Sequence, residues 1–333
     1  MAASRSLQKG QGSPGRRCVS ALSRIGGARV LVTGGAGLIG RPTVAHLAEL
    51  GAEVTVLDLP GTHATLLAAF PDVAVRFLAG DICDPEAVDR AVAGMDAVIH
   101  LGGIPGLGFT DHVETYRVNT IGSFVVMSAA ARAGVAKIVY ASSINANGIP
   151  LGTRGTLPAR IPYDEDLPAD ITDWYSLSKL ANEDVARMVA RRWGTSVTGL
   201  RFPLVRDITA EGGRTFGQHL RAAMAADARR QAAEGWSYLH DHDAARSVAA
   251  ALIRETPPAP GILVAAPLTY LRGTTAAAVA AFLPTVPFGG STGRAVGLDL
   301  SRAREELGFE ALTLLDDVAP SELIDIAGTR KES

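Results

Sequence analysis

The sequence has few of the residues that stabilise small proteins covalently or through metal ions. Its two cysteines, Cys18 and Cys83, lie far apart and lack the Cys/His spacing of a metal site. This composition argues against a disulfide framework and a structural zinc site, and it fits a reducing cytoplasm. No apolar run is long enough to cross a bilayer, so the sequence predicts no membrane partner.

An excess of charge of one sign is also lacking, since the formal net charge is -2. Basic and acidic residues are interspersed, which removes the electrostatic argument for nucleic acid and favours a small-molecule partner. The exception is the segment before residue 30, which carries basic residues and no acidic one. It has no apolar stretch typical of a secretion signal, so residues 1–27 are predicted to be a disordered leader rather than a transit peptide.

Short Val/Ile/Leu-rich runs alternate with longer alanine-rich amphipathic segments from Ala28 onward. The runs predict strands at Val30–Thr33, Glu53–Asp58, Val75–Ala79, Ala97–Leu101, Lys137–Ala141 and Ser196–Arg201. The intervening segments predict helices at Leu38–Leu50, Pro85–Ala93, Val113–Ala133 and Trp174–Trp193. Buried strands separated by helical crossovers are typical of an α/β fold with a Rossmann-type doubly wound parallel sheet.

The alternation stops after Arg201, and the rest of the chain has several prolines and few strand candidates. We therefore expect a dinucleotide-binding domain over residues 28–203. Residues 204–333 would form mainly a smaller, mostly helical substrate lobe, with some segments returning to the sheet. The long Gly- and Pro-containing loop from Asn145 to Thr172 is placed where it could border a site.

A glycine triplet, Gly34, Gly37 and Gly40, lies between the first predicted strand and helix. Glycine permits a tight turn and a close approach of backbone N–H groups to a pyrophosphate, while the helix N-terminus favours its charge. Asp58 ends the second strand, where an acidic residue can accept hydrogen bonds from the adenosine ribose. Its carboxylate would repel a 2′-phosphate, so NAD is predicted over NADP; Arg41 is interpreted as a solvated helix residue.

Several further motifs occur in a fixed order along the chain. They are Gly80-Asp81-Ile82, His100-Leu101-Gly102-Gly103, Val118-Asn119-Thr120-Ile121-Gly122-Ser123, Ala141-Ser142-Ser143 and Tyr175-Ser176-Leu177-Ser178-Lys179. Together with the glycine turn they resemble the extended short-chain dehydrogenase/reductase family, also called the NAD-dependent epimerase/dehydratase family. The resemblance covers most of the chain from Ala28 to about Ala311.

The resemblance implies an enzyme whose catalytic residues are Ser143, Tyr175 and Lys179. The implied cofactor-binding residues are Gly34, Gly37, Leu38, Ile39, Gly40, Asp58, Asp81, Ile82, Leu101, Gly102, Gly103, Tyr175, Lys179 and Pro203. Substrate would contact Ser143, Asn145, Tyr175 and Arg206. Asn119 is expected to brace the loop that carries Ser143, and a homodimer is expected through the two long central helices.

The Tyr175 and Lys179 pair also follows from helix geometry, because residues four apart share one face. A free phenol has a pKa near 10. A nearby ammonium is expected to lower that pKa, which would let the phenol take a proton from an alcohol or return it to a carbonyl.

The reaction is harder to predict, because members of the family that the sequence resembles catalyse dehydrogenation, epimerisation or dehydration. All three reactions share one hydride-transfer step. Ser143-Ile144-Asn145 lacks the Thr-Asp-Glu run of dehydratases, and Leu204 stands where sugar-nucleotide epimerases usually have Asn. These departures favour net oxidation or reduction of a small sugar or sugar-acid-like substrate. A sugar-nucleotide epimerase and a non-catalytic dinucleotide sensor are kept as alternatives. Arg206, Arg214 and Arg221 could bind an anionic group of the substrate. The preferred interpretation is that they belong to a solvated helix face.

Two further segments resemble family motifs outside the catalytic site. Tyr238 to Arg246 contains a dense His/Asp run, for which a metal is not expected; these residues are predicted to cap and orient the next helix. Leu298 to Phe309 is predicted to serve packing rather than catalysis.

Overall fold

The structure is a computed structural model, and it describes residues 22–69, 75–149, 151, 157–256 and 261–326. Most of the predicted leader therefore lies outside the described residues, as do Cys18 and part of the loop after Asn145. Within the described residues, no helix has the length and hydropathy needed to cross a membrane.

Seven parallel strands form the central sheet, in the order β3-β2-β1-β4-β5-β6-β9. They are β1 (Arg29–Thr33), β2 (Glu53–Asp58), β3 (Arg76–Ala79), β4 (Ala97–His100), β5 (Lys137–Ser143), β6 (Ser196–Phe202) and β9 (Ile262–Leu263). The six predicted strands match β1 to β6 closely because buried parallel strands are apolar throughout. This order confirms the predicted Rossmann-type sheet, whose ligands bind beyond the carboxyl ends of the strands.

Helices cover both faces of the sheet. They are α1 (Gly40–Glu49), α2 (His63–Ala69), α3 (Pro85–Val92), α4 (His112–Arg132), α5 (Trp174–Trp193), α6 (Arg214–Ala233), α7 (Asp241–Ile253), α8 (Thr275–Phe282) and α9 (Leu315–Val318). Side chains fix where the long ones begin. The carboxylate of Asp111 accepts from the N–H groups of Val113 and Glu114 at the start of α4, and that of Asp173 accepts from Ser176 at the start of α5.

Among the described residues after Phe202, helices are longer than strands but alternate with extended loops, and three short strands also occur. β7 (Leu204–Arg206) and β8 (Tyr238–His240) pair in parallel as a separate ribbon, and β9 adds the seventh strand to the main sheet. Two or three residues are too few for a periodic pattern, which is why the sequence did not reveal them.

A buried ion pair ties the sheet to α5. Arg201 of β6 donates to both carboxylate oxygens of Glu183, at 2.8 and 2.9 Å, and Ser142 of β5 donates to the same carboxylate at 2.8 Å. These bonds hold α5, and with it Tyr175 and Lys179, against the ends of β5 and β6.

Apolar side chains also remain exposed on the long central helices. They include Val113, Tyr116 and Phe124 on α4 and Trp174 and Leu177 on α5. The homodimer expected from the family resemblance stays a prediction.

Candidate active site

The glycine turn joins β1 to α1 with backbone packed against backbone. Gly34 has a φ of 72°, and a Cβ there would lie 2.5 Å from the backbone nitrogen of Gly102. A Cβ on Gly40 would lie 2.1 Å from the carbonyl oxygen of Gly34. Any side chain at these two positions would fill the turn, so both positions require glycine.

Asp58 at the end of β2 lies directly beside this turn. Its Oδ2 accepts from the N–H of Ala36 at 3.0 Å, and its Oδ1 accepts from Leu59 at 2.8 Å. The carboxylate is thus fixed next to the glycine turn, where it can also accept from ribose hydroxyls.

His100, the last residue of β4, is a buried polar side chain with two partners. His100 bridges Thr33 Oγ1, 2.8 Å from its Nδ1, and Ser123 Oγ, 3.0 Å from its Nε2. Burial, together with the charge of Lys179, lowers the pKa of His100 to about 3, so the ring is neutral. It therefore serves as a neutral link between the end of β1 and α4.

Asn119 on α4 does not brace the loop that carries Ser143, and that expectation was wrong. Its Oδ1 accepts from Ile104 N at 2.7 Å, while its Nδ2 donates to Ile104 O and to Ser178 Oγ, both at 3.1 Å. Because α4 packs along α5, Asn119 reaches the loop after β4 and the helix that carries Tyr175 instead.

Ser143 ends β5 and begins a tight 3₁₀ turn over Ile144–Asn147. Its Oγ donates to Asn145 Oδ1 at 3.0 Å and accepts from Asn145 N at 3.2 Å. Asn145 in turn donates to the carbonyl of Ile149 at 3.1 Å. Ser143 lies near enough to Tyr175 to lower its pKa, whereas the neighbouring Ser142 donates to the carboxylate of Glu183. The two serines thus have different surroundings, and Ser143 is the one beside the tyrosine.

Tyr175 and Lys179 share one face of α5, as their spacing predicts. The Nζ of Lys179 lies 5.6 Å from the ring centroid of Tyr175 and donates to the carbonyl of Ala141 at 3.1 Å. Both side chains are buried. The structure thus brings Ser143, Tyr175 and Lys179 together at the carboxyl end of β5.

The expectation that Lys179 lowers the pKa of Tyr175 is not met in the protein alone. Burial raises the pKa of Tyr175 to about 12, against the opposing effect of its hydrogen bond with Ser143. Burial also lowers the pKa of Lys179 to about 8. In both groups desolvation disfavours the charged form.

These side chains open into one cavity of about 700 Å³. Of the predicted residues, Gly34, Gly37, Leu38, Ile39, Gly40, Leu101, Gly103, Ser143, Asn145, Tyr175, Lys179, Pro203 and Arg206 line it. Asp58, Asp81, Ile82 and Gly102 are not in its lining. Asp81 is exposed and accepts from Cys83 N at 2.8 Å, whereas Ile82 is buried.

The sequence did not reveal one part of the cavity lining. It comes chiefly from α6 and the residue after it, through His219, Ala223, Ala226, Asp227, Arg230, Gln231 and Glu234. No motif marks these residues, and only the three-dimensional structure brings them to the cavity. Of the three arginines considered for an anion, Arg206 lines the cavity, whereas Arg221 pairs with Glu322 at 2.9 Å and Arg214 is exposed.

The His/Asp run before and within α7 is more compact than expected. Ligand atoms of His240, Asp241 and His242 all lie within 4.8 Å of one another. His240 makes no side-chain cap, so the predicted capping role is wrong for it. Asp243 accepts instead from the N–H groups of Leu312 and Thr313, which fastens the C-terminal segment. That no metal binds here stays a prediction.

The residues from Leu298 to Phe309 pack as predicted. Leu298, Leu300, Ala303, Leu307 and Phe309 are all buried. None of them lines the cavity.

The geometry fits a dinucleotide at the glycine turn. Backbone surrounds the turn where a Cβ would clash, the N-terminus of α1 follows it, and a fixed carboxylate lies alongside. A Tyr/Lys/Ser group lies farther along the same cavity. Fold and site together define a dinucleotide-binding enzyme of the short-chain dehydrogenase/reductase type.

The chain belongs to the NAD dependent epimerase/dehydratase family, whose profile matches residues 30–251. NAD is the cofactor of this family, in agreement with the sequence prediction. The family match thus identifies the chain as an NAD-dependent enzyme.

Comparison with individual proteins agrees with this family. The chain is 35% identical over 186 residues to a UDP-glucose 4-epimerase of Neisseria meningitidis serogroup C, which covers 52% of each protein. The match to a UDP-glucose 4-epimerase of Bacillus subtilis is 34% identical over 166 residues and covers 47% of each. The chain thus spans about half the length of the curated relatives it matches.

Solved structures extend the likeness in fold over most of the chain. A short-chain dehydrogenase/reductase superfamily protein from Agrobacterium tumefaciens, with bound NAD, has a TM-score of 0.64 at 24% identity. The similarity covers 89% of this chain and 96% of that one. At this identity the likeness concerns the fold alone.

Proposed function

We propose that the protein is an NAD-dependent epimerase that inverts one hydroxyl-bearing carbon of a nucleotide-linked sugar. The observation that carries the proposal is the group of Ser143, Tyr175 and Lys179 in the lining of one cavity that Arg206 also lines. Similarity to UDP-glucose 4-epimerases supports the sugar nucleotide as the substrate class. This similarity favours the epimerase over the net dehydrogenase that Leu204 suggests.

In this proposal NAD, held by the glycine turn and Asp58, would supply the reversible hydride transfer at the ring carbon that inversion requires. Tyr175 takes the hydroxyl proton as the carbonyl forms and gives it back when the alcohol re-forms, so no net proton is consumed. Ser143 hydrogen-bonds the reacting oxygen and Tyr175, and thereby holds the oxygen beside the phenol. Lys179 places an ammonium beside the phenol and would contact the nicotinamide ribose.

The remaining predicted residues divide between cofactor and substrate in the same proposal. The glycine turn binds the pyrophosphate, Asp58 the adenosine ribose, and Asp81 and Ile82 the adenine side. Leu101 to Gly103 and Pro203 border the ribose and nicotinamide. Residues after Leu204 supply the substrate side of the cavity, with Asn145 and Arg206 contacting substrate.

A net dehydrogenase is the second candidate, because Leu204 lines the cavity where an amide side chain would help to hold a diphosphate. The two reactions differ in what accumulates. We expect the purified protein, given UDP-glucose or UDP-galactose, to form the other sugar by NMR while NADH absorbance stays flat. NADH produced in proportion to substrate consumed would identify the dehydrogenase instead. Binding of NAD without conversion of any sugar substrate would favour the sensor.

A further inference from the structure

Part of the lining of the cavity that contains Tyr175 depends on a break in α6. Asp227 leaves helical geometry, with φ of −157° and ψ of 85°, and its Oδ1 accepts from Arg230 N at 2.9 Å. The helix resumes in a new direction after this residue. The resumed segment brings Arg230, Gln231 and Glu234 to the cavity.

Strand pairing places this segment at the reacting end of the cavity. Ser143 is in register with Phe202, and Leu204, two residues later, is in register with Tyr238. Glu234 lies only four residues before Tyr238, so it approaches the cavity near the start of β7. Arg206 pairs with His240 at the other end of the ribbon. Arg206 also lies close enough to His219 to help lower its pKa, after the larger effect of burial.

The side chains at the reacting end are fixed. The hydroxyl of Tyr270, which is fully buried, donates to Gln231 Oε1 at 3.0 Å, so the amide NH₂ of Gln231 is left to donate elsewhere. The side chain of Glu234 is 13% exposed, and its Oε1 lies 3.4 Å from Arg230 Nε. Burial raises the pKa of Glu234. The pKa values of Tyr270 and Tyr163 are raised chiefly by burial and secondly by the charge of Glu234. The carboxyl group of Glu234 therefore lies near both phenols.

Charge is therefore distributed unevenly along the cavity. The segment from the break onward adds the carboxyl groups of Asp227 and Glu234 and the guanidinium of Arg230 to a lining that also contains the ammonium of Lys179. Arg206 and His219 also line the cavity, and Arg206 lies at the opposite end of β7 from Leu204. A ligand with a neutral, hydroxyl-rich head and an anionic tail matches this arrangement.

We propose that Gln231 and Glu234 bind the hydroxyl groups of the sugar ring and make the enzyme select neutral hexoses over the corresponding uronates. This inference rests on the proposed function. Gln231 donates to a ring hydroxyl, and Glu234 accepts from one. A ring carboxylate would face the charge of Glu234 and would leave its acceptor atoms without a donor.

The test compares kcat/KM and calorimetric Kd for UDP-glucose and UDP-glucuronate. Glu234→Gln is expected to weaken use of UDP-glucose about threefold to tenfold. It should also raise the preference ratio for the uronate by about tenfold or more, because the repelling charge is gone. Glu234→Asp keeps the negative charge, so it should still discriminate against UDP-glucuronate. Gln231→Met should weaken both ligands about threefold to tenfold and leave their ratio unchanged.

Glu310→Gln, an exposed carboxylate outside the cavity, is the matched control and should change nothing. NAD titration and thermal melting establish that each variant is folded. If wild type inverts UDP-glucose but the ratio is the same in Glu234→Gln, the assignment of Glu234 is overturned while the proposed function stands. If wild type neither binds nor converts either sugar nucleotide, the proposed function fails, and this inference fails with it.

Discussion

Lys179 and Tyr175 lie on one face of α5, with the ammonium nitrogen 5.6 Å from the phenol ring centroid. The ammonium hydrogen-bonds the carbonyl of Ala141 rather than the phenol. Lys179 is thus anchored to β5, so it can act on the tyrosine through its charge and on a nearby ribose by hydrogen bonding. Its two effects are separable by mutation.

Tyr175→Phe should remove catalysis and leave NAD affinity nearly unchanged, because the hydroxyl transfers the proton whereas the ring alone supports the pocket. Loss of a general acid/base lowers the rate by about a hundredfold to ten-thousandfold. Lys179→Met should lower turnover and weaken NAD binding together, and Ser143→Ala should mainly reduce turnover. Steady-state rates and NAD titrations on folded variants measure both effects. Near-normal turnover of Tyr175→Phe would overturn the mechanism.

Gly40→Ala should disrupt the glycine turn, since the new Cβ would lie 2.1 Å from the carbonyl oxygen of Gly34. Overpacking of this kind costs about 1 to 3 kcal/mol of unfolding free energy and should strongly weaken NAD binding. Gly61→Ala is the matched control, because nothing lies within 4 Å of a Cβ there. Urea unfolding and NAD titration compare the two. Equal NAD affinity in Gly40→Ala and wild type would refute the assignment of this turn.

The sheet could be predicted from the sequence because each central strand is buried and therefore apolar along its whole length. The Tyr175 and Lys179 pair could be predicted because helical periodicity alone places residues four apart on one face. Ser143 required the family resemblance, since two adjacent serines end β5 and only their contacts distinguish them.

The part of the cavity lining that comes from α6 and Glu234 could not be predicted. Gln231 and Glu234 reach the cavity through the break at Asp227 and the pairing of β7 with β8, which are properties of the folded chain. The pKa of Tyr175 was misjudged for a related reason. Sequence spacing shows a neighbouring cation, but it does not show how deeply the phenol is buried.

Asp58→Asn should reduce the preference for NAD over NADP. A carboxylate opposes the 2′-phosphate of NADP, and such like-charge contacts are worth several kcal/mol, so the affinity ratio should fall at least about tenfold. Glu53→Gln, at the exposed start of the same strand, controls for a general change in charge. Kd values for both dinucleotides measure the effect. If wild type binds NADP as tightly as NAD, Asp58 is not the determinant and Arg41 becomes the residue to examine.

Lys137, at the start of β5, is a second buried lysine outside the cavity. Its Nζ donates to Ser196 Oγ at 3.0 Å, Thr198 Oγ1 at 2.7 Å and the carbonyl of Arg254 at 2.8 Å. These three acceptors use all the donors of the ammonium, and none of them is a carboxylate. Burial consequently lowers the pKa of Lys137 to about 8.

Lys137→Met should flatten the dependence of stability on pH. Because the folded protein releases this proton near pH 8 and the unfolded chain only near 10.5, the unfolded state binds more protons in between. Stability should therefore rise with pH across that window, by about 2 to 3 kcal/mol for such a shift, and stay level below it. Urea unfolding of wild type and Lys137→Met at several pH values from about 7 to 9.5 measures the slope. Lys179→Met should reduce the rise of stability with pH by a similar amount, since burial also lowers the pKa of Lys179 to about 8. The double variant should lose both contributions to this rise. Identical slopes in wild type and Lys137→Met would show that Lys137 does not titrate in this range.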